Sequence, residues 1–241
     1  LQGDNPVALA SINGRRTPLA ETLSGDERVR LVRLRDPQAQ STIQRTVQFL
    51  AVVAAEQLFP EHPLYFHFSY DSGMYCELER AEPLTDDEIA RLESRMRDLV
   101  TQDLRLTPQR FGLRALLKIF RRRGDERAWR ATKYLRRDTM VMYSMEGMAT
   151  MYYGRQLPST GYVKAFRLVP ESPGFVLLTN DKGRPDAVPA FTRQPKLLET
   201  LREDARWLES IGVPDTGSLN AHIVEGRTAE LIRVAEARHN Q

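Results

Sequence analysis

Between residues 41 and 58 the apolar positions Ile43, Val47, Leu50, Ala54 and Leu58 recur at helical spacing. Phe49, Val52 and Val53 widen that stripe beyond what a surface helix needs, so the pattern predicts a helix buried on more than one side. Ser41 with Gln44 three residues on reads as a capping box, and Pro60 closes the helix. Over residues 64–78 the pattern changes to aromatic and β-branched. Two strands are predicted there, joined at Asp71-Ser72-Gly73, with Gly73 free to take positive φ. Upstream, strands over 7–12 and 29–34 with a turn at Asn13-Gly14 form part of a β-rich module. About 40 residues are too few to hold a core alone.

Downstream, Thr85 and Glu88 form a second capping box, opening a helix with Ile89, Leu92, Met96, Leu99 and Val100 on one side. Thr107-Pro108 reads as the start of a third helix, with Phe111, Leu116, Leu117 and Phe120 as its apolar members. A shorter helix follows over 125–136. Strand-like segments at 139–145, 148–154, 161–168 and 174–179 are separated by Gly, Pro, Ser and Asn. Helical patterns return over 195–210, 218–223 and 228–238. There is no internal repeat. The fold class predicted is α+β, divided as 1–40, 41–194 and a helical segment 195–241.

Composition adds three points. The single cysteine, Cys76, excludes an internal disulfide and fits a reducing, cytoplasmic setting. No window approaches the run of about 18 apolar residues that crosses a bilayer, so no membrane partner is expected. Net charge is only +3, yet residues 110–137 hold eleven Lys or Arg against two acids. Arg110, Arg114, Lys118 and Arg121 fall at helical spacing, and Arg122, Arg123, Arg127, Arg130, Lys133, Arg136 and Arg137 continue the field. Such a concentration is the footprint of a polyanion-binding face, or of what charge runs usually are, a solvated helix paired with acidic neighbours.

Candidate chemistry is sparse. His67 and Cys76 flank the hairpin turn; they are either a Cys–His nucleophile or an ordinary half-buried strand pair. His62, His222 and His239 are isolated and read as surface or capping residues. Tyr65, Tyr70, Tyr75, Tyr143, Tyr152, Tyr153 and Tyr162 all fall in predicted strands or their turns. They offer flat faces for a base or ribose, or simply fill a core.

The helix ending in Leu58-Phe59-Pro60, the hairpin carrying Gly73 and Tyr75, and the run PLTDDEIARLESRMRDLV over 83–100 resemble the editing domain of threonyl-tRNA synthetases. Residues 7–35 look like the back half of the TGS module that precedes it. SYDSGMYCE (69–77), YGRQLPSTGY (153–162), PGFVL (173–177) and LIRVAEAR (231–238) are similar to bacterial uridine-kinase-like proteins, which set both domains ahead of a P-loop kinase domain. The resemblance implies a partial TGS-like β module, an editing-like antiparallel sheet with helices, and a C-terminal helical segment. It further implies that the chain is the front portion of a longer protein, with ATP and Mg2+ belonging to the downstream kinase domain and no cofactor or metal held by this chain.

Two departures sharpen that expectation. No Gly-x-x-x-x-Gly-Lys-Ser/Thr occurs in the sequence. The His-x-x-x-His and Cys-x-x-x-His pairs of the synthetase domain fall, on the resemblance, at Arg45 and Phe49 and near Tyr152 and Gln156, none of which is a metal ligand or a general base. The implied function is a non-catalytic accessory region that binds a nucleotide or RNA end, or orients the kinase domain. The groove residues expected are Arg45, Phe49, Tyr70, Tyr75, Tyr152, Tyr153, Arg155, Gln156, Thr160 and Tyr162, with Ser159 as a further donor. The basic patch Arg110–Arg130 would add affinity. The alternatives are an editing-type hydrolase acting in trans on mischarged tRNA, and a purely structural module that dimerises.

Overall fold

A computed structural model describes residues 5–19, 21–23 and 25–239, apart from the His239 side chain. The chain forms two units, residues 1–109 with 142–194, and residues 110–141 with 195–241. Mixed helices and antiparallel sheets make it α+β.

In the first unit, β1 (Val7–Ile12), β2 (Arg15–Thr17) and β3 (Val29–Arg33) form an antiparallel sheet in the order β2-β1-β3. Asn13 (φ 50°) and Gly14 (φ 82°) make the left-handed turn that the twist of a tight hairpin demands. Val7, Ala8, Leu9 and Ala10 are buried in succession, so β1 is the inner strand.

The long helix α1 (Gln40–Leu58) buries Phe49, Leu50 and Ala51 and then Val53, Ala54 and Ala55, which covers more than one face as its pattern predicts. Its start differs from the expected capping box. A 3-10 turn, Pro37–Ala39, leads straight into the helix, and Asp36 caps the Gln38 N–H. Ser41 therefore lies inside the first turn, where its hydroxyl accepts a hydrogen bond from Arg16 at 2.8 Å.

β4 (Leu64–Tyr70), β5 (Gly73–Leu78), β9 (Arg167–Glu171) and β10 (Gly174–Leu178) form a second antiparallel sheet in the order β4-β5-β10-β9. The hairpin turn falls where expected, but Asp71, not Gly73, takes the positive φ (51°). Gly73 is small for another reason: a Cβ there would lie 2.4 Å from Val176 Cγ1 and 2.7 Å from Leu178 Cδ2. Between β4 and β5 the register slips by one residue between Phe66 and Ser69. The segment 161–168, expected as a strand, is instead a 3-10 turn (Thr160–Tyr162) followed by irregular chain up to β9. Thr160 holds it, donating to Leu99 O at 2.6 Å and accepting from Leu104 N–H at 2.9 Å.

Helix α2 (Asp86–Thr101) begins at the predicted Thr85–Glu88 capping box, with both reciprocal bonds present. Arg80 grips Glu88 from outside at 2.9 and 2.6 Å. Those guanidinium bonds, helped by the Thr85 N–H, hold the Glu88 carboxyl down to about 2. Since the folded-state value is depressed, the stabilisation is full above the unfolded value of about 4.3 and is lost as pH falls toward the folded one. Urea midpoints measured from pH 6 to pH 2 are expected to show an acid limb in the wild type that Glu88→Gln flattens.

β6 (Leu106–Gly112) and β7 (Thr139–Met145) carry the chain from the first unit to the second and back, and with β8 (Met151–Tyr153) make a sheet in the order β6-β7-β8. β6 replaces the first part of the third helix expected from Thr107-Pro108. In the second unit α3 (Leu113–Arg123) starts only after it, and is followed by α4 (Glu126–Lys133). The unit is completed by α5 (Pro195–Ser210), α6 (Thr216–Val224) and α7 (Thr228–His239). Arg130 bonds Asp215 at 3.1 Å, and a Cβ at Gly217 would sit 2.6 Å from Ala131 N, so α4 and α6 approach closely. Among the described residues no helix is long and apolar enough to cross a membrane.

Candidate functional site

Helix α1, strand β8 and the loop after it bring together all four positions that the sequence resemblance singled out. Phe49 stacks on Tyr152 with centroids 5.4 Å apart and planes 13° apart, and Tyr152 stacks in turn on Tyr153 at 5.0 Å. The loop is pinned to the helix by Leu157 N–H donating to Thr46 Oγ1 at 3.0 Å, while Thr46 donates to Thr42 O. Gly154 turns the chain at φ 83° and leaves the space that Arg45 fills. A Cβ on Gly154 would be 2.8 Å from Arg45 Cδ and 2.9 Å from its Nη1. Gln156 Nε2 closes the loop on the carbonyls of Tyr153 and Gly154 at 3.2 and 3.3 Å, with its Oε1 buried and unpartnered.

The ten groove candidates fall into two sets. Phe49, Tyr70, Tyr75, Tyr152, Gln156 and Thr160 are buried. Tyr70 Oη accepts from Gln194 N–H at 2.6 Å, and Tyr75 Oη donates to Glu77. Arg45, Arg155 and Tyr162 are half-buried, and Tyr153 is 52% exposed. The surface of the site is thus two guanidinium groups and one open ring, with buried aromatic packing beneath. Ser159 donates to Asp103.

Sequence reasoning did not reach Arg15 and Arg16. Arg16 bonds both Ser41 Oγ and Gln38 O (3.3 Å), which sets β2 against the first turn of α1, one turn before Arg45. Burial depresses the Arg155 guanidinium, and repulsion from Arg16, Arg15 and Arg45 depresses it further, with Tyr143 opposing. The signal was there as Gly14-Arg15-Arg16, but nothing local says that a strand near the start meets a loop some 140 residues later.

The nucleophile candidates are tied up. Cys76 is fully buried, lies opposite Phe66 and donates to Met74 O at 3.2 Å; burial drives its thiol far above the usual range. The slip in β4 sets His67 and Phe68 against Tyr75, with rings 6.0 and 5.1 Å away, and His67 reaches Glu77 at 3.7 Å. Burial likewise raises the Tyr152 phenol, aided by Tyr153 and Cys76, so it stays neutral. His62 and His222 bond the carbonyls of Glu79 and Ser218; the His239 side chain lies outside the described residues. Among the described residues no three His, Cys, Asp or Glu side chains converge as a metal centre needs.

In the second unit, α3 exposes Arg114, Lys118, Arg121, Arg122 and Arg123. Arg110 lies on β6, not on the helix with them, and its Nη1 donates to Thr139 Oγ1 at 3.4 Å. Arg121 and Lys133 lie over the Trp129 ring at 4.7 and 5.0 Å, and Arg130 is neutralised by Asp215. Arg127 is half-buried on α4.

The chain is similar to threonine–tRNA ligases. That of Pelobacter propionicus is 25% identical over 158 residues, covering 66% of this chain and 25% of the ligase. That of Geobacter sp. (strain M21) is 26% identical over 157 residues, 65% of this chain and 25% of the ligase. That of Rickettsia bellii is 25% identical over 162 residues, 67% and 26%. The chain thus matches about a quarter of the length of these curated relatives. No protein-family model matches it. The similarity supports a ligase-like TGS and editing-like region over most of the chain.

Proposed function

We propose that the first unit is a tRNA-related binding module that holds the base of a nucleotide or RNA end and does not hydrolyse it. The observation that carries this reading is the stack of Tyr153 on Tyr152 on Phe49, a rigid platform that ends in an open ring. Such a face accepts any base. A cavity of about 190 Å³ lies nearby, lined by Arg105, Leu106, Tyr143, Gln156 and Leu157 among others. It is below the roughly 300 Å³ of the smallest usual ligand pockets, so the base is placed on the ring face rather than inside. A guanidinium is a hydrogen-bond donor with no acceptor, and the buried thiol and phenol are poor nucleophiles, which favours binding over editing.

The resemblance to uridine-kinase-like proteins supports a cytoplasmic setting and a P-loop nucleoside kinase domain as the physical partner. Exposed basic residues on α3 give the second unit, taken by itself, an attraction to polyanions. Calorimetric titration with tRNA, nucleosides and nucleotides tests the reading. Binding to at least one is expected, and Tyr153→Ala should weaken it about tenfold. Absence of binding to all three sinks it, and deacylation of mischarged tRNA that disappears with Arg45→Gln would replace it with the editing reading.

A further inference from the structure

Several arginines in this protein are matched to acids: Arg80 to Glu88, Arg97 to Glu93, Arg130 to Asp215, Arg193 to Glu171 and Arg238 to Asp204. Four in the first unit gather in one place with no acidic partner among the described residues. Arg45 fills the space left at Gly154, next to Arg155 in the chain. Arg16 is fastened to Ser41, one turn before Arg45 on α1, and Arg15 precedes it. Among the described residues, the guanidinium groups of Arg15, Arg45 and Arg155 form neither a hydrogen bond nor an ion pair, and that of Arg16 bonds only neutral oxygens. Burial depresses the Arg155 guanidinium, and repulsion from the other three adds to it. Like charges brought together by a hairpin, a helix and a loop, three of them with their N–H forks unused, call for an anion.

We infer that Arg45 and Arg155, flanked by Arg15 and Arg16, form a site for a terminal phosphate, as a phosphomonoester or diphosphate. Several guanidinium groups in reach suit the dianionic charge and three acceptor oxygens of a monoester better than the single charge of an internal phosphodiester. Tyr153 ends β8, the strand that runs into the loop holding Arg155, so a phosphate here and a base on that ring belong to one nucleotide; this linkage, though not the phosphate site, rests on the function proposed above.

The whole chain is titrated by calorimetry at low salt with pyrophosphate, with a nucleoside and its monophosphate, and with one short RNA bearing or lacking a 5′-phosphate. The phosphorylated member of each pair is expected to bind about tenfold or more tightly. Arg45→Gln and Arg155→Gln should each abolish that gain and the binding of pyrophosphate, Arg155→Lys should retain part, and Arg91→Gln at an exposed position of α2 should change nothing. Equal affinities within both pairs, or wild-type pyrophosphate binding by the two glutamine variants, overturn the site. A gain confined to the mononucleotide identifies a free nucleotide as the source, and one confined to the RNA identifies a phosphorylated RNA end. Pyrophosphate bound through the arginines, with no nucleoside or RNA bound, leaves the phosphate site standing and removes the base platform.

Discussion

Replacing Gly174 by alanine is expected to cost the first unit at least about 3 kcal/mol, at the upper end of what overpacking does. A Cβ at Gly174 would lie 2.0 Å from the Cys76 carbonyl oxygen and 3.0 Å from its carbon, with Glu77 Cγ at 2.9 Å. The main obstacle is backbone, and it cannot yield by changing a rotamer. Gly174 opens β10, which is bonded on one side to β5 through Phe175 and Cys76 and on the other to β9 through Gly174 and Glu171. Shifting Cys76 would disturb both hairpins, because every residue of β10 is buried. A thermal midpoint about 6–12 °C below wild type is the expected readout. A midpoint within 2 °C of wild type (about 1 kcal/mol or less) would mean that β10 and β5 are not seated this closely.

Gly154 makes the useful contrast, because the atoms a Cβ would meet there are the far end of Arg45. One glycine protects the sheet and the other makes room for the site. Sequence alone marks neither. It registers a glycine, not what faces it.

What was legible followed from local periodicity. α1 is long and repetitively apolar, and α2 announces itself through Thr85 and Glu88, so both were readable without tertiary information. The α5 bounds agree with the helical pattern over 195–210. The misreadings share a cause, in that one local signal had two physical meanings. Pro108 suits a first helical turn, but it also suits the edge of a sheet, where a missing N–H costs nothing, and β6 is the edge strand in β6-β7-β8. The helix waits for Gly112 as its cap, with Leu113 N–H satisfied by Asp138 O at 2.9 Å. Ser41 suits a cap, but Asp36 and Pro37 had already begun the turn. At the site, Arg45 was readable because it stands on a strongly patterned helix, whereas Arg15 and Arg16 take their place from a long-range contact that no window contains.

Phe49→Ala is expected to have an effect of similar size and to reach the site as well. Phe49 is wholly buried, and truncating such a ring costs about 3–5 kcal/mol through lost transfer energy and the cavity left behind. The hole opens beneath Tyr152, whose ring is held by Phe49 on one side, by Tyr153 on the other, and by a 3.4 Å contact from its hydroxyl to Gln48. Tyr152 is then free to drop inward, carrying the neighbouring Tyr153 and the Gly154 turn away from Arg45. Phe49→Leu keeps most of the volume and should cost less than half as much. The two variants therefore separate volume from ring geometry: melting curves should rank them Ala well below Leu, while base binding should fall in both, because neither presents a flat face to Tyr152. If Phe49→Leu binds nucleoside as the wild type does, the stack is packing alone and the ring of Tyr153 needs no platform.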